Sequence, residues 1–238
     1  MSSTLAKQAA DRFGIALTPQ QVGQFDQYAA ILAEWNAHTN LTAITDAESV
    51  QVRHFLDSLS IAQAVPMTTG LRLIDVGTGA GFPGLPLLIA FPHIQVTLLE
   101  ATGKKIAFLD HVIAELGLTG ASTLHARAEE AGHMPDQRAT YDVVLARAVA
   151  RLPALVEYLL PLAKIGGCCV AMKGSTAAEE VRDAARAIDL LGGRFNRIGV
   201  VELPGVEDTH HLVIVDKVAH SPRTYPRNPG TPTRKPII

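Results

Sequence analysis

The chain has 238 residues, 47% of them hydrophobic, which suits one packed domain of ordinary size with an extension. A formal net charge of −2 argues against a protein that coats nucleic acid wholesale. No apolar run reaches the ~18 residues of a membrane span, and the start Met1–Lys7 lacks the basic and apolar regions of a secretory signal, so a cytoplasmic protein with no membrane partner is expected.

Residues 1–66 read as a helical extension. Pro19 can open a helix with Thr18 as its N-cap, and Val22, Phe25, Tyr28, Ala29, Leu32 and Trp35 then recur at helical spacing. A further helix is expected from Asp46 to Val65, ended by Pro66. From there strands and helices alternate. Strands are expected at Leu71–Val76, Val96–Glu100, Ser122–His125, Tyr141–Ala146 and Cys168–Met172. Helices are expected around Leu85–Phe91, Lys104–Leu116, Leu152–Ala163 and Ala177–Leu191. Arg194–Leu203 and His211–Val218 are joined by a short loop and read as an antiparallel pair. The alternation implies an α/β, Rossmann-like sheet over residues 67–218, mostly parallel, covered on both faces, and antiparallel at its C-terminal end. Cys168 and Cys169 are neighbours on one strand, point to opposite faces, and are read as reduced core residues.

Residues 219–238 form a basic, Pro-rich tail. Arg223, Arg227, Arg234 and Lys235 face no carboxylate there, which leaves −6 on residues 1–218. Charge alone allows either an arm that contacts RNA phosphates or a solvated terminus. The tail's Pro and Gly content makes it extended or disordered when unbound, and five prolines suit an arm better than a helix. On this reading a chain ending at Val218 keeps every strand and still folds.

The strongest chemical signal is Asp75-Val76-Gly77-Thr78-Gly79-Ala80-Gly81-Phe82-Pro83-Gly84, between an expected strand and an expected helix. Glycines there let the backbone turn sharply and let a ligand approach closely. Glu100, 21 residues beyond Gly79 at the tip of the next strand, is spaced to accept hydrogen bonds from ribose hydroxyls. Gly79-x-Gly81-x-x-Gly84 also fits a dinucleotide fingerprint, so an NAD-type ligand competes with a methyl donor. Asp75 tilts toward the donor, because an anion there suits an ammonium and repels pyrophosphate.

Several segments in order narrow the match: Asn40-Leu41-Thr42, Arg53-His54-Phe55-Leu56-Asp57-Ser58, Asp75–Gly84, Gly103-Lys104-Lys105, Arg127–Glu130, Ala146-Arg147-Ala148, Lys173-Gly174 and His211-Leu212-Val213. Together they resemble the ribosomal RNA small-subunit methyltransferase G family, also called glucose-inhibited division protein B. The resemblance implies a class I methyltransferase that uses S-adenosyl-L-methionine, without a metal, to methylate N7 of a guanine in 16S ribosomal RNA, as naked RNA or in the small-subunit particle. It implies donor contacts at Gly77, Phe82, Ala128, Glu129 and Arg147, beside Gly79 and Glu100 from the loop and its spacing, with Asp75 near the methionine amino group, Phe82 over an apolar part of the ligand and Glu129 at the adenine. No general base is implied, since guanine N7 already carries a lone pair at neutral pH. Without the resemblance, Glu129 reads as a solvated helix-start acid and Arg147 as a partner of a surface acid. His54 and Asp57, at i and i+3, read as capping or core hydrogen-bonding groups beside the reaction cleft. The chain departs from the family pattern at His210, where Arg is usual, and at Asn228, where a second basic residue is common. A non-catalytic RNA-binding factor that keeps the fold is the remaining alternative.

Overall fold

The computed structural model describes residues 2–238. Seven strands form one sheet: β1 (Arg72–Val76), β2 (Gln95–Glu100), β3 (Ala121–His125), β4 (Tyr141–Arg147), β5 (Ala163–Lys173), β6 (Gly193–Val201) and β7 (His210–Lys217). Their spatial order is β3-β2-β1-β4-β5-β7-β6; the first five run parallel, and β7 lies antiparallel between β5 and β6. The expected mostly parallel sheet with an antiparallel end is therefore observed.

Both faces are buried, which explains the continuous apolar strands. Leu73, Leu98 and Val143 point into one core, and their chain neighbours Ile74, Leu99 and Val144 into the other. The first core is covered by α1 (Ser2–Phe13), α2 (Pro19–Thr39), α5 (Gly84–Ala90) and α6 (Gly103–Leu116), and the second by α8 (Leu152–Leu159) and α9 (Ala177–Leu190). The helices of residues 1–66 thus share a core with the sheet, through Phe25, Tyr28 and Phe55. Thr18 caps α2 as expected, in a reciprocal box with Gln21: Gln21 N donates to Thr18 Oγ1 at 3.3 Å, and Thr18 N to Gln21 Oε1 at 2.8 Å.

Three elements differ from expectation. The run after Asp46 is helical but not uniform: α3 (Ala47–Val50) leads into a π-helical turn, Gln51–Leu56, then α4 (Asp57–Leu59) and a 3₁₀ turn, Ser60–Gln63. The helix expected over Leu152–Ala163 stops at Leu159, and β5 begins at Ala163, five residues before Cys168. Gly166 and Gly167 lie inside that strand. A Cβ on Gly167 would stand 2.5 Å from Asp142 O, so the glycine lets β5 press against a register shift in β4.

The third difference is the tail, which is docked on the body instead of extended away from it. Arg138 donates to the carbonyls of Ser221, Tyr225 and Gly132 at 2.9, 2.8 and 2.6 Å. Arg227 forks onto the fully buried Glu157, with Nη2 to Oε2 at 2.7 Å and Nε to Oε1 at 2.9 Å. A carboxylate carried by an apolar helix needs such a partner, and the tail supplies it. Arg227 is therefore not a free phosphate contact, and a chain ending at Val218 would leave Glu157 buried and unpaired. Arg223, Arg234 and Lys235 stay exposed. Arg227→Ala is expected to destabilise the fold by roughly 3 kcal/mol, measured by urea denaturation, because one partner of a buried pair is removed.

Candidate functional site

The order of the sheet reverses between β1 and β4, and an open α/β sheet holds ligands at the carboxyl end of such a switch. The glycine loop leaves β1 there. Gly77 N and Thr78 N both donate to Leu99 O, at 2.8 and 3.1 Å, carrying the loop across the end of β2. Gly77, Gly79 and Gly81 have φ of +66°, +62° and +91°, a conformation that disfavours any side chain. Gly84 is there for a different reason. A Cβ would meet Leu98 Cδ2 at 2.7 Å and Asp75 Oδ2 at 3.1 Å, so this glycine lets α5 settle on the sheet.

Asp75 is completely buried beneath the loop. Its Oδ2 accepts from Thr78 Oγ1 at 2.6 Å and Gly84 N at 2.9 Å. Its Oδ1 is buried with no hydrogen-bond partner. Burial pushes the carboxyl up to about 6, against the lowering effect of those two hydrogen bonds. Glu100 meets the loop from β2, as the spacing predicted: Gly79 N donates to Oε2 at 3.1 Å, and Thr102 N to Oε1 at 2.9 Å. A Cβ on Gly79 would meet nothing within 4 Å, so the outer side of this glycine is open space. An open glycine cradle, a carboxylate at its rim and an unpartnered acid oxygen beneath it fit a ligand carrying both hydroxyls and an ammonium.

The other expected contacts gather round the same strand ends. Ala126 N donates to Glu100 O at 3.2 Å, which sets the one-turn α7 (Ala128–Ala131) just beyond β2. Glu129 is buried, not solvated, and accepts from Gly230 N at 2.8 Å. Phe82, expected to cover an apolar part of the ligand, also has a structural place. Its ring is buried between His54, with centroids at 4.5 Å and an angle of 16°, and Tyr28, at 5.4 Å and 25°. That stack, with Tyr28 OH donating to Ala80 O, anchors the loop to the N-terminal helices.

Arg147, at the end of β4, pairs with a buried acid and not a surface one. Nη1 donates to Asp57 Oδ2 at 3.1 Å and to Arg53 O at 2.9 Å, Nη2 faces His54 Nδ1 at 3.1 Å, and the guanidinium lies 5.2 Å from the Phe82 centroid. The π-helical turn makes this possible. Asp57 N donates to His54 O and, five residues back, to Val52 O, which leaves Arg53 O for the guanidinium. Arginine can only donate, so His54 Nδ1 is the acceptor and its Nε2–H donates to Thr42 Oγ1 at 2.8 Å. Burial, and then the Arg147 charge, pushes His54 down to about 4, so its ring is neutral at pH 7. Asp57 also accepts from His210 Nδ1 at 2.9 Å, and that bond holds the His210 imidazole above its ordinary value. His210 thus takes up a buried carboxylate bond where the family pattern has Arg. Periodicity could not join residues 54, 57, 147 and 210. The signal available was their recurrence in separate motifs.

These groups line a cleft of about 420 Å³, shared with Arg53, Lys173 and His211. The Arg53 side chain is exposed at this rim. Among the described residues, no cluster of three His, Cys, Asp or Glu side chains could hold a metal ion, and no helix is long and apolar enough to cross a membrane.

Comparison with known proteins agrees with this geometry. Residues 21–210 match the family model described as rRNA small subunit methyltransferase G. A ribosomal RNA small subunit methyltransferase G of Pelotomaculum thermopropionicum is 48% identical over 231 residues, 97% of each chain. Among solved structures, a SAM-dependent methyltransferase from Aquifex aeolicus superposes with a TM-score of 0.53 at 16% identity, covering 74% of this chain and 97% of that one. The [4+2]-cyclase SpnF superposes with a TM-score of 0.57 at 15% identity, covering 86% and 99%. The fold alone therefore does not choose a chemistry.

Proposed function

Because the chain belongs to the rRNA small subunit methyltransferase G family, we propose that it transfers a methyl group from S-adenosyl-L-methionine to N7 of a guanine in 16S ribosomal RNA. The observation that favours this donor over a dinucleotide is the unpartnered, fully buried oxygen of Asp75 beneath the open glycine loop. A second anion there would be repelled, and an ammonium would complete the acid.

S-adenosylmethionine supplies a methyl group on a positively charged sulfur. The chain's part is to hold and orient. Gly79 offers a surface free of side chains, Gly77 turns the chain into the loop, Glu100 accepts from ribose hydroxyls, and Ala128 and Glu129 border the adenine. Asp75 takes the amino group, Phe82 fixes the loop that carries it, and Arg147 closes the side toward the cleft. Guanine N7 needs no proton removed, so the cleft must place the base and exclude water. A base taken out of its stack fits a pocket of this size. Arg53, exposed on the rim, would meet a neighbouring phosphate, and the exposed Arg223, Arg234 and Lys235 would meet phosphates elsewhere along the RNA. Mass mapping of 16S ribosomal RNA from cells with and without the gene tests the whole reading. An unmethylated guanine in the deleted strain is expected, and an unchanged map overturns it.

Glu100→Ala is expected to weaken S-adenosylhomocysteine by ~1.5–3 kcal/mol, seen in the dissociation constant by calorimetry, because a charged acceptor is lost. The Asp75 reading also fixes a pH dependence. The free carboxyl titrates at about 6, and an ammonium beside it lowers that value. Affinity is therefore full above pH 7 and falls as pH drops through 6, by roughly fourfold between pH 7.5 and 5.5, with proton release on binding. Calorimetry in buffers of different ionisation enthalpy checks both, and Asp75→Asn should remove the dependence.

A further inference from the structure

We propose that the segment 219–238 is a positioning element of the methyl-donor site, with the Gly230 amide holding the Glu129 carboxylate in its working place. The inference rests on the reading that Glu129 meets the donor, and goes beyond it by assigning a role to a segment about a hundred residues away.

The Ala128–Ala131 helix is a single turn, too short to hold its own geometry in water. Its position is set by what packs on it, and much of that is the C-terminal segment. Pro226 lies over Gly132 so closely that a Cβ there would stand 2.6 Å from the proline ring. His133 Nε2 donates to Pro226 O at 2.7 Å, just past the end of the turn. At its start, Gly230 N donates to Glu129 Oε1 at 2.8 Å. The segment therefore grips the turn at both ends. It is itself anchored by the Arg227–Glu157 fork and by Tyr158 Oη with Thr233 Oγ1 at 2.9 Å.

A buried carboxylate held by a backbone amide keeps one orientation before the ligand arrives, so that ordering is not charged against binding. Release of residues 229–238 would free the side chain and unclamp the turn beneath it. Coupling of this kind is reciprocal: if docking of the segment strengthens donor binding by some factor, the donor must strengthen docking by the same factor.

The test uses a chain ending at Asn228, which keeps the Arg227–Glu157 pair and loses Gly230. Its dissociation constant for S-adenosylhomocysteine is expected to rise about tenfold. Glu129→Ala in the full chain should weaken binding to a similar degree, and the two changes combined should do no worse than Glu129→Ala alone. In the unaltered protein, saturating S-adenosylhomocysteine should slow hydrogen exchange at the Gly230 amide about tenfold. Unchanged affinity in the shortened chain, alongside a weakened Glu129→Ala, overturns the positioning role and leaves the donor reading intact. Unchanged affinity in Glu129→Ala overturns the donor contact at this position and the proposal with it. Should the shortened chain not fold, the exchange measurement decides, and an amide indifferent to ligand overturns the proposal.

Discussion

Gly77→Val should abolish donor binding, by about a thousandfold or more in the dissociation constant for S-adenosylhomocysteine, in a protein that still folds. The backbone at Gly77 has φ +66°, where a β-branched residue is a genuine outlier. Such strain costs of order 1–3 kcal/mol on its own. The new Cβ would also stand 2.8 Å from Val149 Cγ2, so the loop or the 148–150 turn must move. Either movement disturbs the first residue of the cradle and the bond from Gly77 N to Leu99 O. The damage stays at the carboxyl edge of the sheet, and the two cores beneath are untouched. Calorimetric titration, with the thermal transition as control, measures the effect. Wild-type affinity in a folded variant would remove the glycine loop from the donor site.

An equally large loss is expected from Asp57→Ala, this time in turnover: kcat/KM should fall about a thousandfold, ~4 kcal/mol of transition-state stabilisation. Asp57 is almost wholly buried, and its two oxygens hold Arg147 and His210 separately. Removing it leaves the guanidinium with two uncharged acceptors, the neutral His54 ring and Arg53 O, in a site built to seat it against a carboxylate. Loss of one partner of a buried pair costs about 3–5 kcal/mol, so the thermal midpoint should drop as well. The His210 bond adds a pH signature. An imidazole whose folded pKa is raised contributes stability that is complete below its unfolded value, near 6.5, and is lost as pH rises through the folded value. Wild-type stability should carry that decline on going alkaline, and Asp57→Ala should lack it. Single-turnover assays and urea titrations at several pH values measure the two effects. Normal turnover in the variant would show that the cleft's charge network has no part in the reaction.

How much of this was legible depended on how far apart in the chain the cooperating residues lie. The glycine loop, its strand and the Glu100 partner lie within residues 72–100, and the physics that links them is local: positive φ, a strand tip, a short crossover. Thr18 with Gln21 is more local still. The π-helical turn at Gln51–Leu56 left no mark in the apolar pattern, because the partner of the carbonyl it frees is Arg147, a side chain from β4 more than 90 residues away. The early start of β5 was hidden by Gly166 and Gly167, which interrupt its apolar run; Gly167 lies against the register shift in β4. Glu157 stands as one acid in an apolar helix, and without its pairing the prolines and arginines of the tail suggest a free arm. Its docking depends on pairings 70 or more residues away, which composition does not report.

The Arg227–Glu157 fork also bears on how the protein is made. On a ribosome adding ~5–20 residues per second, the arginine is joined to the chain roughly 4–14 s after the glutamate it must meet. Throughout that interval the nascent α8 carries a carboxylate that its own packing surface cannot solvate once closed. The helix must stay open to water until the guanidinium arrives. Closure of the second core is therefore timed by translation, and slowing the ribosome between those two codons should lengthen the period in which nascent chains expose this helix to chaperones and proteases.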